Sequence, residues 1–370
     1  MKEIGVYIHI PFCVKKCDYC DFISYCNKED LIEKYIGKLK EEIKVELSHQ
    51  EYKIKTIYIG GGTPSFVNSK YISDILNTIK EKHNLENTEV TIEVNPGTVT
   101  KEKLLDYKEV GINRLSIGLQ ETNNELLKQI GRIHTYEEFL ETYNLAREVG
   151  FRNINVDLMI GLPNQSIQEI KESLNKVITL NPEHISVYSL ILEEGTKLYQ
   201  KYQKNGLDLP DEELERNMYW YVKNTLENNG YIHYEVSNFA KQGNESKHNI
   251  SCWNQEEYIG FGVAAHSYIN GVRYSNTISL DEYIKSSDKI IHEKQTSEDM
   301  QKEYMLLGLR KIEGISIQKF KNKFGENPIF LFRDELNKLV EEDLVIVDGD
   351  NIVLTNKGLD LANQVWEEFV

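Results

Sequence analysis

Short apolar, β-branched runs alternate with stretches of helical period through the first half of the chain. The strand-like runs are Val6–Ile10, Thr56–Ile59, Val90–Val94, Arg114–Ile117, Asn155–Ile160 and His184–Leu190. Between them lie amphipathic segments, Lys28–Leu47, Lys70–Lys82, Lys101–Val110, Tyr136–Val149 and Ser166–Thr179. This alternation predicts an α/β fold with a parallel sheet and right-handed crossovers. Six such units are two short of a closed eight-stranded barrel, so an open partial (β/α)6 barrel and a doubly wound sheet both fit. Periodicity does not choose between them.

The residues that follow each strand carry more information. They are His9–Cys20, Gly60-Gly61-Gly62-Thr63-Pro64, Glu93-Val94-Asn95-Pro96, Gly118-Leu119-Gln120, Asp157 with Gly161-Leu162-Pro163, and Ser189 to Ile191. Parallel α/β folds collect their chemistry where the strands end, because the βα loops open on one face. Six strand ends rich in glycine and polar groups therefore describe one site.

From about residue 195 the pattern changes. A helical stretch, Asp211–Asn229, leads into a polar and aromatic segment, Tyr231–Tyr274. Residues 300–370 read as three helices, a hairpin around Asp348-Gly349-Asp350 and a last helix. The expected organisation is a core over 1–195, a helical or mixed extension over 196–298 and a winged-helix-like region over 299–370. That last region resembles a DNA-binding module, but over 300–370 it holds 9 Lys+Arg against 13 Asp+Glu. Packing or partner docking is the better reading, and no nucleic-acid partner is expected. The whole chain carries −16 and repels polyanions in the same way.

Apolar residues make up 40% and charged residues 28%, with no apolar run long enough to span a bilayer. Nor does the start of the chain read as a signal peptide, so a cytoplasmic location is expected. Five cysteines are present, and three of them fall within eight residues. In a chain without a disulfide framework, such a cluster points to metal or redox chemistry.

The spacing is Cys13-x3-Cys17-x2-Cys20, in a loop after a strand. Three thiolates hold three corners of a cubane iron–sulfur cluster and leave the fourth iron open to a small chelating ligand. Zinc is the alternative, although structural zinc takes four closed ligands, commonly as two separated pairs. Cys26 is six residues further on, either a fourth ligand or a small buried residue, and no second pair exists.

With Tyr19 before the third cysteine, this motif resembles the radical S-adenosylmethionine (SAM) signature. The resemblance implies a [4Fe–4S] cluster on Cys13, Cys17 and Cys20, whose open iron is chelated by the amino and carboxylate groups of SAM. One electron then cleaves SAM to methionine and a 5′-deoxyadenosyl radical. Tyr7-Ile8-His9-Ile10-Pro11-Phe12-Cys13 and Gly60-Gly61-Gly62-Thr63-Pro64 narrow the resemblance to the oxygen-independent coproporphyrinogen III oxidase branch. Carried over residue by residue, Tyr7, Gly61, Gly62 and Thr63 contact SAM and Glu93 accepts hydrogen bonds from its ribose. Gln120, Arg132 and Asp157 resemble the positions that meet a second SAM. Some of these have a plainer alternative: Tyr7 as core, the glycines as a tight turn, Glu93 as a cap or ion-pair partner, Arg132 as a surface pair.

Two features depart from the oxidase. Phe22 stands where that family has a fourth cysteine, and only 12 residues precede Cys13 in place of a long N-terminal extension. Both are similar to the heme chaperone family HemW, which carries a His-Asn-x-x-Tyr-Trp motif. The corresponding run is His248-Asn249-Ile250-Ser251-Cys252-Trp253, with cysteine in place of tyrosine. That resemblance makes His248 and Cys252 candidate heme ligands, with Trp253 as a flat apolar face. The alternative is that His248 and Trp253 pack the core against the C-terminal region. Two functions are thus expected: a heme chaperone on a radical SAM scaffold, or a radical enzyme acting on a tetrapyrrole. Coproporphyrinogen oxidation is not expected. The implied partners are heme, heme-acceptor proteins and an electron donor such as flavodoxin or ferredoxin.

Overall fold

Alternation within six parallel strands separates two faces of different character. The computed structural model describes residues 1–48, 52–286 and 288–370. The strands are β1 (Lys2–Ile10), β2 (Tyr52–Gly61), β3 (Glu89–Val94), β4 (Arg114–Gln120), β5 (Ile154–Ile160) and β6 (His184–Ser189). Their connections carry α1 (Ile32–Glu46), α2 (Ser69–Lys80), α3 (Lys101–Glu109), the short α4 (Asn124–Gln129), α5 (Tyr136–Val149) and α6 (Ile167–Leu180). Ile8, Ile59, Ile92, Ile117, Val156 and Ile185 share one buried core with helix residues such as Leu39, Leu76, Leu104, Phe139 and Leu174. Side chains alternate along a strand, so the opposite face presents Tyr7, Tyr58, Glu93, Ser116, Asp157 and Ser186.

The strands pair in sequence order, β1-β2-β3-β4-β5-β6, all parallel. A doubly wound sheet reverses its order at a switch point. No reversal occurs, and right-handed crossovers then place every helix on the same face. The protein is therefore the open partial barrel of the two expected forms, polar inside and apolar outside. Helix ends fix where the strands begin: capping boxes at Thr135/Glu138 and Ser166/Glu169 start α5 and α6. Gly150 and Asn181, both left-handed, stop them.

Beyond residue 195 the chain lengthens the same sheet at both edges. After α7 (Lys197–Asn205) and α8 (Glu212–Asn228) come β7 (Ile232–Glu235) and β8 (Asn238–Ala240), with β8 antiparallel to β6. Helix α9 (Lys247–Trp253) then crosses to β9 (Tyr258–Phe261), which is parallel to β1. β10 (His266–Ile269), β11 (Val272–Asn276), α10 (Leu280–Lys285) and β12 (Lys289–Lys294) follow, giving twelve strands in one sheet among the described residues. The edges β12 and β7 do not meet.

The C-terminal region comprises α11 (Ser297–Gly308), β13 (Ile315–Ser316), α12 (Ile317–Phe324), α13 (Pro328–Leu331), α14 (Arg333–Glu341), β14 (Val345–Asp348), β15 (Asn351–Leu354), α15 (Asn356–Asp360) and α16 (Ala362–Glu367). It has its own core around Met305, Phe320, Leu336, Val345 and Val365. The hairpin around Asp348–Asp350 gains a third strand, β13, only two residues long. Arg310 joins this region to the barrel, its guanidinium 4.5 Å from the Trp253 ring centroid and 4.4 Å from that of Trp366. Among the described residues no helix is long and apolar enough to cross a membrane.

Candidate functional site

The loop after β1 is closed on itself before it meets the rest of the barrel. Cys13 N–H donates to Tyr25 C=O at 3.0 Å, and Tyr25 N–H to Pro11 C=O at 2.7 Å. Asp18 ties the loop down from outside, through its N–H to Ile130 C=O and its carboxylate to Lys201. The glycine-rich turn after β2 fits against it from inside. A Cβ on Gly61 would stand 2.5 Å from the His9 ring, and one on Gly62 would stand 2.9 Å from the Phe12 nitrogen. Gly61 also has φ +110°, a conformation L side chains rarely adopt. These glycines are needed to let the two loops touch each other.

The loops and strand ends bound a cleft of about 480 Å³. Cys13, Cys17 and Cys20 line it together with Gly61, Gly62, Thr63, Glu93, Gln120, Arg132 and Asp157. Thr63 Oγ1 donates to Cys13 Sγ at 3.4 Å and Arg132 Nη1 to Cys17 Sγ at 3.5 Å. Burial pushes the Cys13 thiol up, and that of Cys20 up to about 11. As thiolates they need cationic partners, which iron would supply if these sulfurs held it. Among the described residues no three His, Cys, Asp or Glu side chains gather closely enough to hold a single metal ion. The thiols instead flank one opening.

Glu93 stands deeper. Its carboxylate accepts from Tyr58 Oη at 2.9 Å and from Gly61 N–H at 3.1 Å. Burial, reinforced by Asp157 and opposed by those two hydrogen bonds, pushes its carboxyl up to about 7. Asp157 is also raised by burial, against hydrogen bonds from Asn155 at 2.8 Å and Ser116 at 3.4 Å.

Gln120 reaches the cleft through a register shift in β4 between Gly118 and Gln120, and it takes φ 73°. Such a conformation in a non-glycine residue persists only where the surrounding structure holds it. Arg132 is half-buried and donates to Asn95 Oδ1, to Gly118 C=O at 2.6 Å and to His134 Nδ1 at 3.2 Å. His134 Nε2 faces Leu119 C=O at 3.1 Å, so that nitrogen carries the proton and Nδ1 is free to accept from Arg132. Burial and the Arg132 charge push His134 down to about 3, which keeps it neutral. The arginine nitrogen Nε is buried without a partner among the described residues.

Three expected site residues lie elsewhere. Tyr7 sits beneath the cleft, bonded to His9 Nδ1 at 2.9 Å. His248 is buried at the opposite end of the strands, against Thr56 at 2.9 Å. Cys252 is half-buried on the same helix, where burial pushes its thiol up to about 11. Phe22, in contrast, stands exposed at the cleft mouth. Sequence reasoning missed Tyr58 and His134. Strand parity is the signal that finds Tyr58, two residues before Gly60 and on the same face as Glu93.

Residues 7–177 match the family model described as the radical SAM superfamily, and residues 295–361 match the HemN C-terminal domain. The chain is 39% identical over 373 residues to a protein of Lactococcus lactis named heme chaperone HemW, covering 100% of this chain and 98% of that one. It is 39% identical over 375 residues to the protein of the same name from Bacillus subtilis, covering 99% of each. Among solved structures, coproporphyrinogen III oxidase (HemN) from Escherichia coli, described as a radical SAM enzyme, matches with a TM-score of 0.87 at 25% identity, covering 100% of this chain and 90% of that one.

Proposed function

Because the chain belongs to the radical SAM family, in the branch of the HemW proteins, we propose that it is a heme chaperone built on a radical SAM scaffold. In this reading it binds a [4Fe–4S] cluster, SAM and heme and delivers heme to acceptor proteins. One observation carries the proposal: Cys13, Cys17 and Cys20 share a single cleft with Gly61, Gly62, Thr63 and Glu93.

The residues lining the cleft suit the cluster and SAM. Three thiols leave one corner of a cubane free for the amino and carboxylate groups of SAM. When bound and reduced, the cluster supplies a single electron. Thr63 and Arg132 donate to the sulfurs of Cys13 and Cys17, the kind of outer hydrogen bonding that tunes metal-bound ligands. Glu93 accepts from the ribose diol, and Gln120, Arg132 and Asp157 bind around the adenosine end or a second SAM. An electron donor such as flavodoxin or ferredoxin and a cytoplasmic location complete the reading. His248 and Cys252 stand outside the cleft, so heme ligation through them requires α9 to move.

A second reading, radical transformation of a tetrapyrrole, is favoured by one feature. Glu93, Gln120, Arg132 and Asp157 all line the cleft, a fuller set than a carrier needs. Parallel assays on anaerobically reconstituted protein separate the two. The chaperone reading expects a Soret band on adding heme and no conversion of coproporphyrinogen III with SAM and reductant. Sustained SAM-dependent loss of carbon dioxide from coproporphyrinogen III would overturn it.

A further inference from the structure

Helix α9 closes the base of the barrel, at the end of the strands remote from the cysteines. The N–H groups of Lys247 and His248 donate to the two carboxylate oxygens of Glu89, at 3.3 and 3.2 Å. This pins the helix beneath β3. The His248 ring turns upward among β1, β2 and β3, with Nδ1 2.9 Å from Thr56 Oγ1. Its face stacks on Tyr58, with centroids 5.2 Å apart and planes 28° apart. Beside it lies Gly5, where even an added Cβ would stand 3.7 Å from His248 Cε1. On the far side of Tyr58, the phenol hydroxyl meets Glu93 at 2.9 Å. Tyr58 is thus clamped between an imidazole below and a carboxylate above.

We propose that His248 is a positioning residue for the SAM site: it is the floor that holds Tyr58 where its hydroxyl reaches Glu93. The proposal rests on the reading of Glu93 as the ribose acceptor. A tyrosine ring without a floor tilts, and a tilt of half an ångström at the hydroxyl takes a 2.9 Å hydrogen bond out of its favourable range. Tyr7 stacks on Tyr58 from the side, with centroids 6.4 Å apart, but the β1 position beside His248 is Gly5, which offers no side chain to replace the floor. Burial and the Arg114 charge push His248 down to about 4, so the floor stays neutral around neutral pH. The same packing argues against the ring as an axial heme donor. Thr56, Tyr58 and Gly5 surround it, and a porphyrin plane reaches it only if α9 withdraws.

The test uses the full chain with its cluster reconstituted, titrated with SAM between pH 6 and 8 and, separately, with heme. Glu93 is faced by Tyr7 from β1, Tyr58 from β2, Asp157 from β5 and Tyr188 from β6, and Arg114 from β4 faces Tyr58. Tyr58→Phe removes the hydrogen bond to the carboxylate and should weaken SAM binding at pH 7 by about tenfold, the usual size for one such bond. It should also move the pH midpoint of binding upward. His248→Ala should do both to a similar extent. The double variant should lose no more than either single one, since both act through one contact. His248→Phe, which restores a flat ring, should recover most of the affinity. Thr56→Val serves if the alanine variant does not fold, and it should shift the midpoint in the same direction. Unchanged SAM affinity and midpoint in His248→Ala or Thr56→Val, or additive losses in the double variant, would overturn the proposal. So would loss of the Soret band in His248→Ala with SAM binding intact, which would make His248 a heme ligand. If Glu93→Ala leaves SAM binding unchanged, it is the reading of the site itself that fails.

Discussion

Arg132 donates to the sulfur of Cys17 at 3.5 Å while its other terminal nitrogen holds the Gly118 carbonyl at 2.6 Å. One half-buried cation thereby couples the cysteine loop to the end of β4. A Cβ on Gly118 would stand 3.3 Å from that nitrogen and 3.0 Å from Gln120 Nε2. Glycine at this position leaves the room in which Arg132 and Gln120 both turn into the cleft.

A cation against a cluster ligand stabilises the more negative, reduced state. Arg132→Gln should therefore lower the midpoint potential of the reconstituted cluster, by on the order of 50 mV, the one-electron equivalent of about 1 kcal/mol. Iron content should be unchanged. Redox titration followed by EPR measures this, and a potential that stays put would mean the arginine serves only the organic ligand.

Iron loading should separate the four cysteines near the cleft. Cys13→Ala, Cys17→Ala and Cys20→Ala should each abolish the iron–sulfur absorption of the reconstituted protein, whereas Cys26→Ala should retain about four irons per chain. Cys26 is absent from the cleft wall that holds the other three. Iron loss in the Cys26 variant would point to a cluster closed by four thiolates, with no corner left for SAM.

SAM affinity should rise with pH. The Glu93 carboxyl, held up to about 7 by burial, has to give up its proton before it can accept two hydrogen bonds from a ribose diol. Below that pH the free protein is protonated and binding releases a proton, so the dissociation constant should weaken by up to about tenfold per pH unit. Above it the dependence should flatten. Calorimetry in two buffers of different ionisation enthalpy counts the proton directly. A flat profile from pH 6 to 8 would show that Glu93 is already ionised or is not at the ribose.

Much of this was legible in the chain because parity and punctuation are local. Alternation in Glu89–Val94 or Asn155–Ile160 already separates Glu93 and Asp157 from the apolar positions that pack on the helices. The glycines after β2 and the cysteines after β1 announce their loops. Strand order is not local, which is why the barrel and the doubly wound sheet looked alike until β1 to β6 were seen to pair in sequence. Depth is not local either. Tyr7 pairs in register with Tyr58 yet does not line the cleft, and His248 lies at the base of the barrel because α9 folds back under β3. The added strands escaped notice for a third reason. β8 is three residues long, and β12 reads Lys-Ile-Ile-His-Glu-Lys, where polar residues outnumber the two isoleucines.

The C-terminal region should depend on Arg310 for its attachment. Its guanidinium lies between the Trp253 ring on α9 and the Trp366 ring on α16, within 4.5 Å of both centroids. The backbone adds a contact from Val236 N–H to Arg310 C=O at 3.0 Å, and Trp220 adds one to Asp360 at 2.7 Å. The backbone contact survives truncation of the side chain; the sandwich does not. Each cation–π face is worth about 0.5–2 kcal/mol when partly desolvated, so Arg310→Ala should cost about 1–3 kcal/mol at this interface. The C-terminal core, which is separate from that of the barrel, should then loosen first on heating. Two of the three tryptophans flank the arginine, so the intrinsic fluorescence of Arg310→Ala should shift to the red as water reaches their rings. Limited proteolysis should cut near residue 296, at the start of α11, sooner than in the unaltered protein. Unchanged emission and unchanged proteolysis would show that the other contacts across this interface, among them Lys311 to Asn254 and Gln255 to Glu303, hold the region without the arginine.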